Sequence, residues 1–409
     1  MKELKRPELL SPAGNFEKME AAIRFGADAV YLAGQMFGMR SAADNFTVDE
    51  LRRAAEYVHE KGKKLYLTVN TMPREYEYPA LEEYMKSIAG IPLDALIIAD
   101  LGVMELAKRL LPDIPIHVST QAGVVSSASA LIWRSMGAER AVLARELNFD
   151  EIREIARNTK GKIDLEIFIH GSMCVSWSGR CLLSNHFTGR DGNRGMCAQP
   201  CRWNYTIYEE KRPETGLGIE QDNLGTFIMS SKDLCMLEHI PELVACGAAS
   251  FKIEGRMKSA YYTAVVTNAY RMALHRYFAD PEHYSFDPAW LNEAESVSHR
   301  EYATGYFFDE VTENAQTVKN PGYLREKAYL ATVSSYDPET HRAELLQRNK
   351  LYADSDAELL TPGKPGIPVH LGKMWNENGE EIESAPHPYM RFFCEMPIPV
   401  KPGDILRGC

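Results

Sequence analysis

The sequence predicts an α/β fold: a TIM-like (β/α)8 barrel carrying a Cys-rich insertion between strands 7 and 8, followed by a small antiparallel β-barrel domain. Three observations predict it. The first 260 residues alternate short apolar runs with amphipathic helical segments. Eight such β–α units follow in series, which favours a closed parallel barrel over an open doubly wound sheet. From about Arg325 the texture changes to short strands punctuated by Pro362-Gly363, Pro365-Gly366 and Pro402-Gly403.

In chain order the barrel strands are expected at Glu8–Leu10, Ala29–Leu32, Lys64–Val69, Ala95–Ile98, Ile116–Val118, Ala141–Leu143, Leu165–Ile169 and Ser250–Glu254. Thr47-Val-Asp-Glu50 and Asn148-Phe-Asp-Glu151 carry the pattern of a capping box, in which a side-chain oxygen satisfies free N–H groups of the first helical turn. Gly26, Gly62 and Gly137 stand where helices should stop. A helix over Ala260–Tyr277 is expected to end the barrel. The domain expectation is therefore a catalytic barrel over 1–280 with its insertion over 170–246, a linker over 281–324 and a β-barrel over 325–409. Strands in the last part are expected at Ala328–Tyr336, Arg342–Gln347, Ala357–Leu360, Ile367–Leu371, Arg391–Glu395 and Ile405–Arg407.

On a parallel barrel the loops after the strands build the active site. Here those loops read Ser11-Pro12-Ala13-Gly14, Asn70-Thr71, Asp100, Ser119-Thr120-Gln121, Arg145-Glu146, His170-Gly171 and Glu254-Gly255-Arg256. The insertion leaves from the same rim, so its side chains are expected to hang over the barrel mouth. Polar βα loops occur on any such protein, so no single one of these residues is diagnostic.

Composition narrows the classes. Hydrophobic content of 45% and charged content of 25% are ordinary for a globular chain. No run of eighteen apolar residues is present, and the N-terminal stretch lacks the apolar core of a signal peptide, so a cytoplasmic protein with no membrane partner is expected. In a reducing compartment eight cysteines favour metal binding or catalysis over disulfides. The net charge of −11 argues against a generic nucleic-acid coat, yet a local basic site acts within about 10 Å whatever the total.

Such a site stands between Glu166 and Trp203. Cys174, Cys181, Cys197 and Cys201 follow the spacing C-x6-C-x15-C-x3-C, and Arg180, Arg190, Arg194 and Arg202 outnumber Asp191. Four thiolates complete an iron–sulfur cubane or a tetrahedral zinc site. The wide x6 and x15 gaps suit a [4Fe–4S] cluster, with zinc the second choice. Cys235 is a possible substitute for Cys201. Trp177, His186, Phe187, Trp203 and Tyr205 intersperse with arginine, a mixture that can hold splayed RNA bases and equally can pack a long excursion. Arg190 and Arg194, beside glycines, are candidates for binding phosphate or a carboxylate substrate, with Gln121, Lys252 and Arg256 on the rim. Glu254 is a candidate acid/base. Lys252, Glu254 and Arg256 are also what a salt-linked barrel interior would contain. His170 precedes Cys174 by four residues and could be drawn as its base. No H-E-x-x-H, G-x-S-x-G or phosphate-loop pattern is present.

The stretch E-I-F-I-H-G-S-M-C-V-S-W-S-G-R-C-L-L-S resembles the signature of the collagenase-like peptidase family U32. C-A-Q-P-C-R-W, M-S-S-K-D-L-C, F-K-I-E-G-R-M-K-S and the early L-L-S-P-A-G-N add to the likeness, which extends over nearly the whole chain. The resemblance implies a [4Fe–4S] cluster on Cys174, Cys181, Cys197 and Cys201, with Cys235 matching the fourth ligand of some relatives. It implies RNA hydroxylation, with tRNA as partner, prephenate as co-substrate and 5-hydroxyuridine at the wobble position as product. The peptidase activity in the family's name is the alternative, and a non-catalytic RNA-binding role is a third.

Overall fold

A computed structural model describes residues 5–39, 44–174, 176–203, 221–222, 225–226, 231–308, 324 and 327–409. Strands β1 (Glu8–Pro12), β2 (Ala29–Ala33), β3 (Lys64–Val69), β4 (Ala95–Ile98), β5 (Ile116–Val118), β6 (Arg140–Val142) and β7 (Asp164–Ser172) pair in parallel, each with the next. A two-residue hairpin β8 (Gln221–Asp222) and β9 (Gly225–Thr226) and a strand β10 (Asp233–Cys235) precede β11 (Ser250–Ile253). β11 pairs in parallel with both β7 and β1, which closes an eight-stranded barrel. All eight strands fall within three residues of their expected ends, β7 extending furthest beyond its expected end at Ile169. β10 adds antiparallel to β7, and β12 (Tyr302–Ala303) pairs with β10.

Between the strands run α1 (Phe16–Arg24), α2 (Val48–Glu60), α3 (Tyr78–Ser87), α4 (Leu101–Leu110), α5 (Ser127–Ser135) and α6 (Phe149–Thr159). Both expected capping boxes form: Thr47 and Glu50 satisfy each other's main-chain N–H, as do Asn148 and Glu151. In α2 the residues Leu51, Ala54, Ala55 and Val58 are buried, the i, i+3, i+4, i+7 stripe of a one-sided helix. Further on come α7 (Leu183–Thr188), α8 (Ile240–Ala245), α9 (Ala260–Ala279) and α10 (Pro288–Glu295).

The chain divides into two compact units. One draws on residues 1–19, 27–258 and 299–323, the other on 20–26, 259–298 and 324–409. The stretch 281–324, expected as a linker, contributes α10 and β12, and its residues 309–323 lie outside the described residues. In the second unit an eight-stranded antiparallel sheet curls around a core that includes Val333, Leu345, Leu359, Phe392 and Leu406. Arg407 is buried there between Glu293 and Glu358 and also donates to Ser296.

The barrel interior is polar low down. Glu166, without solvent exposure, accepts from Lys252 at 2.8 Å and Arg140 at 3.2 Å. Arg140 reaches Glu8 at 2.6 Å, and Glu8 also accepts from Tyr66 and Ser250. Burial alone would raise the Glu166 pKa; Lys252 and Arg140 outweigh it and hold the carboxyl down at about 2. His117, edge-on to Tyr66, is pushed to about 3 by burial and by Arg140.

Two outcomes follow from this interior. Glu166→Ala strands two buried cations, so the barrel should lose about 3–5 kcal/mol of stability; an unchanged urea midpoint would refute that role. His117 and His170 both have folded pKa values of about 3, below the ordinary 6.5. The unfolded chain then binds protons that the folded chain refuses. Stability should be complete above pH 6.5 and fall as pH drops through the window below it, each histidine contributing on the order of 5 kcal/mol at most. Melting temperatures from pH 7.5 to 5 test this, with His117→Gln expected to flatten the slope.

Candidate functional site at the barrel rim

β7 and β11 end side by side, the Glu254 N–H donating to the His170 carbonyl at 2.9 Å. The exit of β11 passes through a slot lined by two glycines. A Cβ on Gly171 would stand 2.4 Å from the Glu254 carbonyl oxygen, and one on Gly14 2.4 Å from that of Arg256. Gly171 also has φ +107°, so no other residue fits there without strain. A bulge between Lys252 and Ile253 turns the strand at this point. Above it, Glu254 accepts from the Tyr31 hydroxyl at 3.1 Å, and the buried Arg256 guanidinium donates to Thr68 at 3.0 Å. Burial and Glu254 raise the Tyr31 pKa well above its ordinary value, so the hydroxyl keeps its proton and donates.

Residues 176–203 of the insertion fold as a small knot. Asn193 receives the Cys181 N–H and donates to the Cys181 carbonyl, at 3.0 and 2.9 Å. Ser184 donates to the Arg190 carbonyl and accepts from Ala198 N–H. Cys197 lies within 4 Å of where a Gly192 side chain would begin, so Cys181 and Cys197 are held on one turn. Each sulfur accepts a main-chain N–H two residues on, Leu183 to Cys181 and Gln199 to Cys197, both at 3.3 Å.

Three tethers fix the knot to rim loops. Arg180 donates through two nitrogens to the Gln121 carbonyl after β5, at 2.9 and 2.7 Å. Ser178 donates from N–H and hydroxyl to Glu146 after β6, at 2.5 and 3.1 Å. Arg194 pairs with Glu77 and also reaches Tyr76, after β3. The Cys-bearing segment is thereby attached to the C-terminal face of the barrel, where the strand ends open.

His170 is buried beside the mouth, opposite Cys235 in the β7–β10 register, with Tyr302 hydroxyl at 3.5 Å from its Nε2. Tyr302 stacks on His299 at 4.3 Å. Asp233 accepts from two nitrogens of Arg300 at 2.9 and 2.6 Å. Burial would raise the Asp233 pKa, but Arg300 and Lys258 hold it below the carboxylate range. A small cavity between these strands is lined by Met173, Cys174, Lys232, Asp233 and Tyr306.

The sequence candidates thus fall in several separate places. Glu254 and Arg256 share the slot at the rim with His170. Cys181, Cys197, Arg190 and Arg194 share the knot, Arg190 with an exposed guanidinium whose Nε donates to the Met196 carbonyl. Lys252 is buried on Glu166, and Gln121 is buried with its side-chain oxygen unpartnered. Cys174 opens on the small cavity, Cys201 follows in a short turn, and Cys235 sits on β10. Among the described residues no three Cys, His, Asp or Glu side chains gather closely enough to hold a metal ion. The donor chemistry nevertheless fits a thiolate-bound cluster: Cys174, Cys181 and Cys197 are free thiols, the sulfurs of Cys181 and Cys197 accept main-chain N–H bonds, and none of the three is buried. Tyr205 lies outside the described residues.

Several residues that organise the site are not singled out by the sequence. Glu77 and Asn193 reach their tethering partners 117 and 12 residues away, Glu146, one polar rim residue among several, reaches Ser178 32 residues on, and the Asp233–Arg300 pair spans 67 residues. Severing two tethers with Arg180→Ala and Glu146→Ala should make residues 176–203 markedly more sensitive to limited proteolysis while the barrel's melting temperature stays within a few degrees. Unchanged cleavage would show that the knot is held by something else.

Comparison with known proteins supplies the family. The profile of Peptidase family U32 matches residues 14–317, and that of the Peptidase family U32 C-terminal domain matches residues 325–407. The tRNA hydroxylation protein P1 of Bacillus subtilis is 37% identical over 98% of this chain and 95% of its own length. The tRNA hydroxylation protein P of Escherichia coli is 33% identical over 93% of this chain and 92% of its own. A collagenase of Porphyromonas gingivalis is 33% identical over 80% of each. The eight-stranded barrel, the Cys-bearing knot on its rim and both profile matches agree: the chain belongs to peptidase family U32.

Proposed function

We propose that this chain hydroxylates tRNA, forming 5-hydroxyuridine at the wobble position with prephenate as co-substrate, in the cytoplasm. The observation that carries the reading is the thiol-bearing knot fastened by Arg180, Ser178 and Arg194 to three loops of the barrel mouth. Likeness over nearly the full length to two tRNA hydroxylation proteins supports it. In this reading Cys174, Cys181, Cys197 and Cys201 hold a [4Fe–4S] cluster, Cys235 being the alternative fourth ligand and zinc the alternative metal. Once bound, such a cluster supplies one-electron chemistry, and its uptake is coupled to the ordering of the segments that carry its ligands.

The remaining roles belong to the chain's own groups. The exposed Arg190 guanidinium suits a carboxylate of prephenate, presenting a planar fork to a planar anion. Trp177, Phe187 and Trp203 are exposed on the knot, Trp177 by 58%, and offer faces for unpaired bases around a uridine turned out of its stack. Glu254, aligned by Tyr31, is the proton acceptor at the strand end. His170 is neutral at physiological pH and positions the seam. Lys252 serves the barrel interior.

Mass spectrometry of tRNA nucleosides tests the reading. A strain lacking this chain should lose 5-hydroxyuridine, the wild-type gene should restore it, and Cys174→Ala should not, although the variant folds. Anaerobically purified protein should be brown, with about four iron and four sulfide per chain. Full modification by Cys174→Ala would end the cluster assignment, and gelatin hydrolysis by a protein that leaves tRNA unmodified would restore the peptidase reading.

A further inference from the structure

The second unit carries a feature that the rim chemistry does not use. Four groups stack in series from its core to its surface. Buried Tyr261 stacks on Tyr329 with ring centres 5.5 Å apart, the Arg348 guanidinium lies 5.6 Å from the Tyr329 ring, and the same guanidinium lies 4.9 Å from the Tyr389 ring. Tyr389 ends the series with 68% of its surface exposed. A tyrosine this exposed contributes little to folding, yet its backbone has φ +61°, a left-handed conformation that bulky residues rarely adopt.

The surroundings hold it there. The Tyr389 N–H donates to the Gln347 carbonyl at 3.1 Å, and the Gln347 N–H donates to the Met390 carbonyl at 2.9 Å. The buried Gln347 side chain donates to the Ala385 carbonyl at 3.2 Å. Pro386 and Pro388 stiffen the loop on either side of His387. A second exposed tyrosine, Tyr352, has the Lys350 ammonium 4.7 Å above its ring, on a strand paired to Ser384–Ala385 at the foot of the same loop. Two tyrosines, each backed by a cation and presented on braced backbone, are suited to a ligand that is both flat and anionic.

We propose that Tyr389 and Tyr352, with Arg348 and Lys350, form a stacking platform for unpaired nucleotides of RNA, a binding surface separate from the residues assigned to the reaction. A nucleotide supplies a π-face for a tyrosine ring and a phosphate for a cation such as Lys350, which is the pairing that single-stranded binding surfaces use. A neutral peptide would match the rings but bring no anion to Lys350. The choice of RNA rests on the tRNA reading given above; the platform extends that reading by giving the second unit a grip on an unpaired stretch of the substrate.

The test uses the full chain with three fluorescent probes: oligouridylate, the same strand annealed to its complement, and tRNA. Tyr389→Ala should weaken oligouridylate and tRNA binding about tenfold, Tyr389→Phe should stay within about twofold, and Lys350→Ala should reduce the salt dependence of binding. Duplex should bind more weakly than single strand. Thermal melting of each variant separates lost binding from lost folding. If wild type binds tRNA and Tyr389→Ala and Tyr352→Ala bind it equally well, the platform is wrong and the hydroxylation reading stands. Tyr389-dependent RNA binding by a protein that leaves 5-hydroxyuridine levels unchanged upholds the platform and sinks that reading. Equal affinity for duplex, or capture of a polypeptide by Tyr389 with no affinity for RNA, overturns the platform.

Discussion

Glu166 is the residue on which the barrel's closure turns. β7 and β11 are separated by the whole insertion, and nothing local in the chain guides one to the other. The contact of the Glu166 carboxylate with Lys252 from β11 and Arg140 from β6 makes one register acceptable. A slip of β11 by one residue would carry Lys252 to the opposite face and leave an unneutralised carboxylate inside the barrel. Apolar strands alone tolerate such slips far better. The ion network contributes little net stability over well-packed aliphatic side chains; its effect is to select an alignment. That alignment decides where Glu254 and Arg256 emerge, and so sets the rim.

The rim follows from it in steps. With β11 in register, its exit crosses between Gly14 and Gly171, which have no side chain to obstruct the Glu254 and Arg256 carbonyls. Three stretches that are distant in the chain, L-S-P-A-G-N, I-H-G and K-I-E-G-R, meet there. The insertion leaves the end of β7 at Ser172 and is fastened at the mouth by Arg180, Ser178 and Arg194. The tethers involve side chains other than the thiols, so the attachment of the knot to the barrel occupies none of the sulfurs.

Much of this was legible in the sequence. The eight strands followed from apolar runs bounded by turn residues, and the two capping boxes from a polar residue three positions before Glu50 and Glu151. Those signals are local, acting within one turn or one strand. The curled sheet of the second unit was readable for the same reason, although its two-residue strands, such as Leu351–Tyr352 and Met374–Trp375, are too short to show an alternation. The extra strand β10 was not legible: Asp233–Cys235 is three residues long and is defined by pairing with β7 and β12. In the site, the spacing of the thiols marked the insertion, whereas its fastening depends on Glu77, Gln121 and Glu146, each ordinary in its own surroundings. Lys252 could be read from sequence as ligand-facing or as structural, because the deciding fact is the position of Glu166.

The fate of the arginines bears on how an acidic chain could handle RNA. By composition the insertion is a basic patch, yet two of its arginines are already engaged, Arg180 on a carbonyl of the barrel and Arg194 on Glu77. The Arg194 charge is met by Glu77 within the protein, Arg180 is fixed in place by a neutral carbonyl, and the field of either is screened beyond about 10 Å. Long-range electrostatic capture is therefore a weak basis for binding here. Exposed aromatic faces are the more general resource: Trp177, Phe187 and Trp203 on the knot, and Tyr389 and Tyr352 on the second unit. Stacking acts only at contact and only on bases not already paired. A protein built on it ignores duplex and responds to looped RNA, which is the selectivity needed by an enzyme whose target base must be unpaired to react.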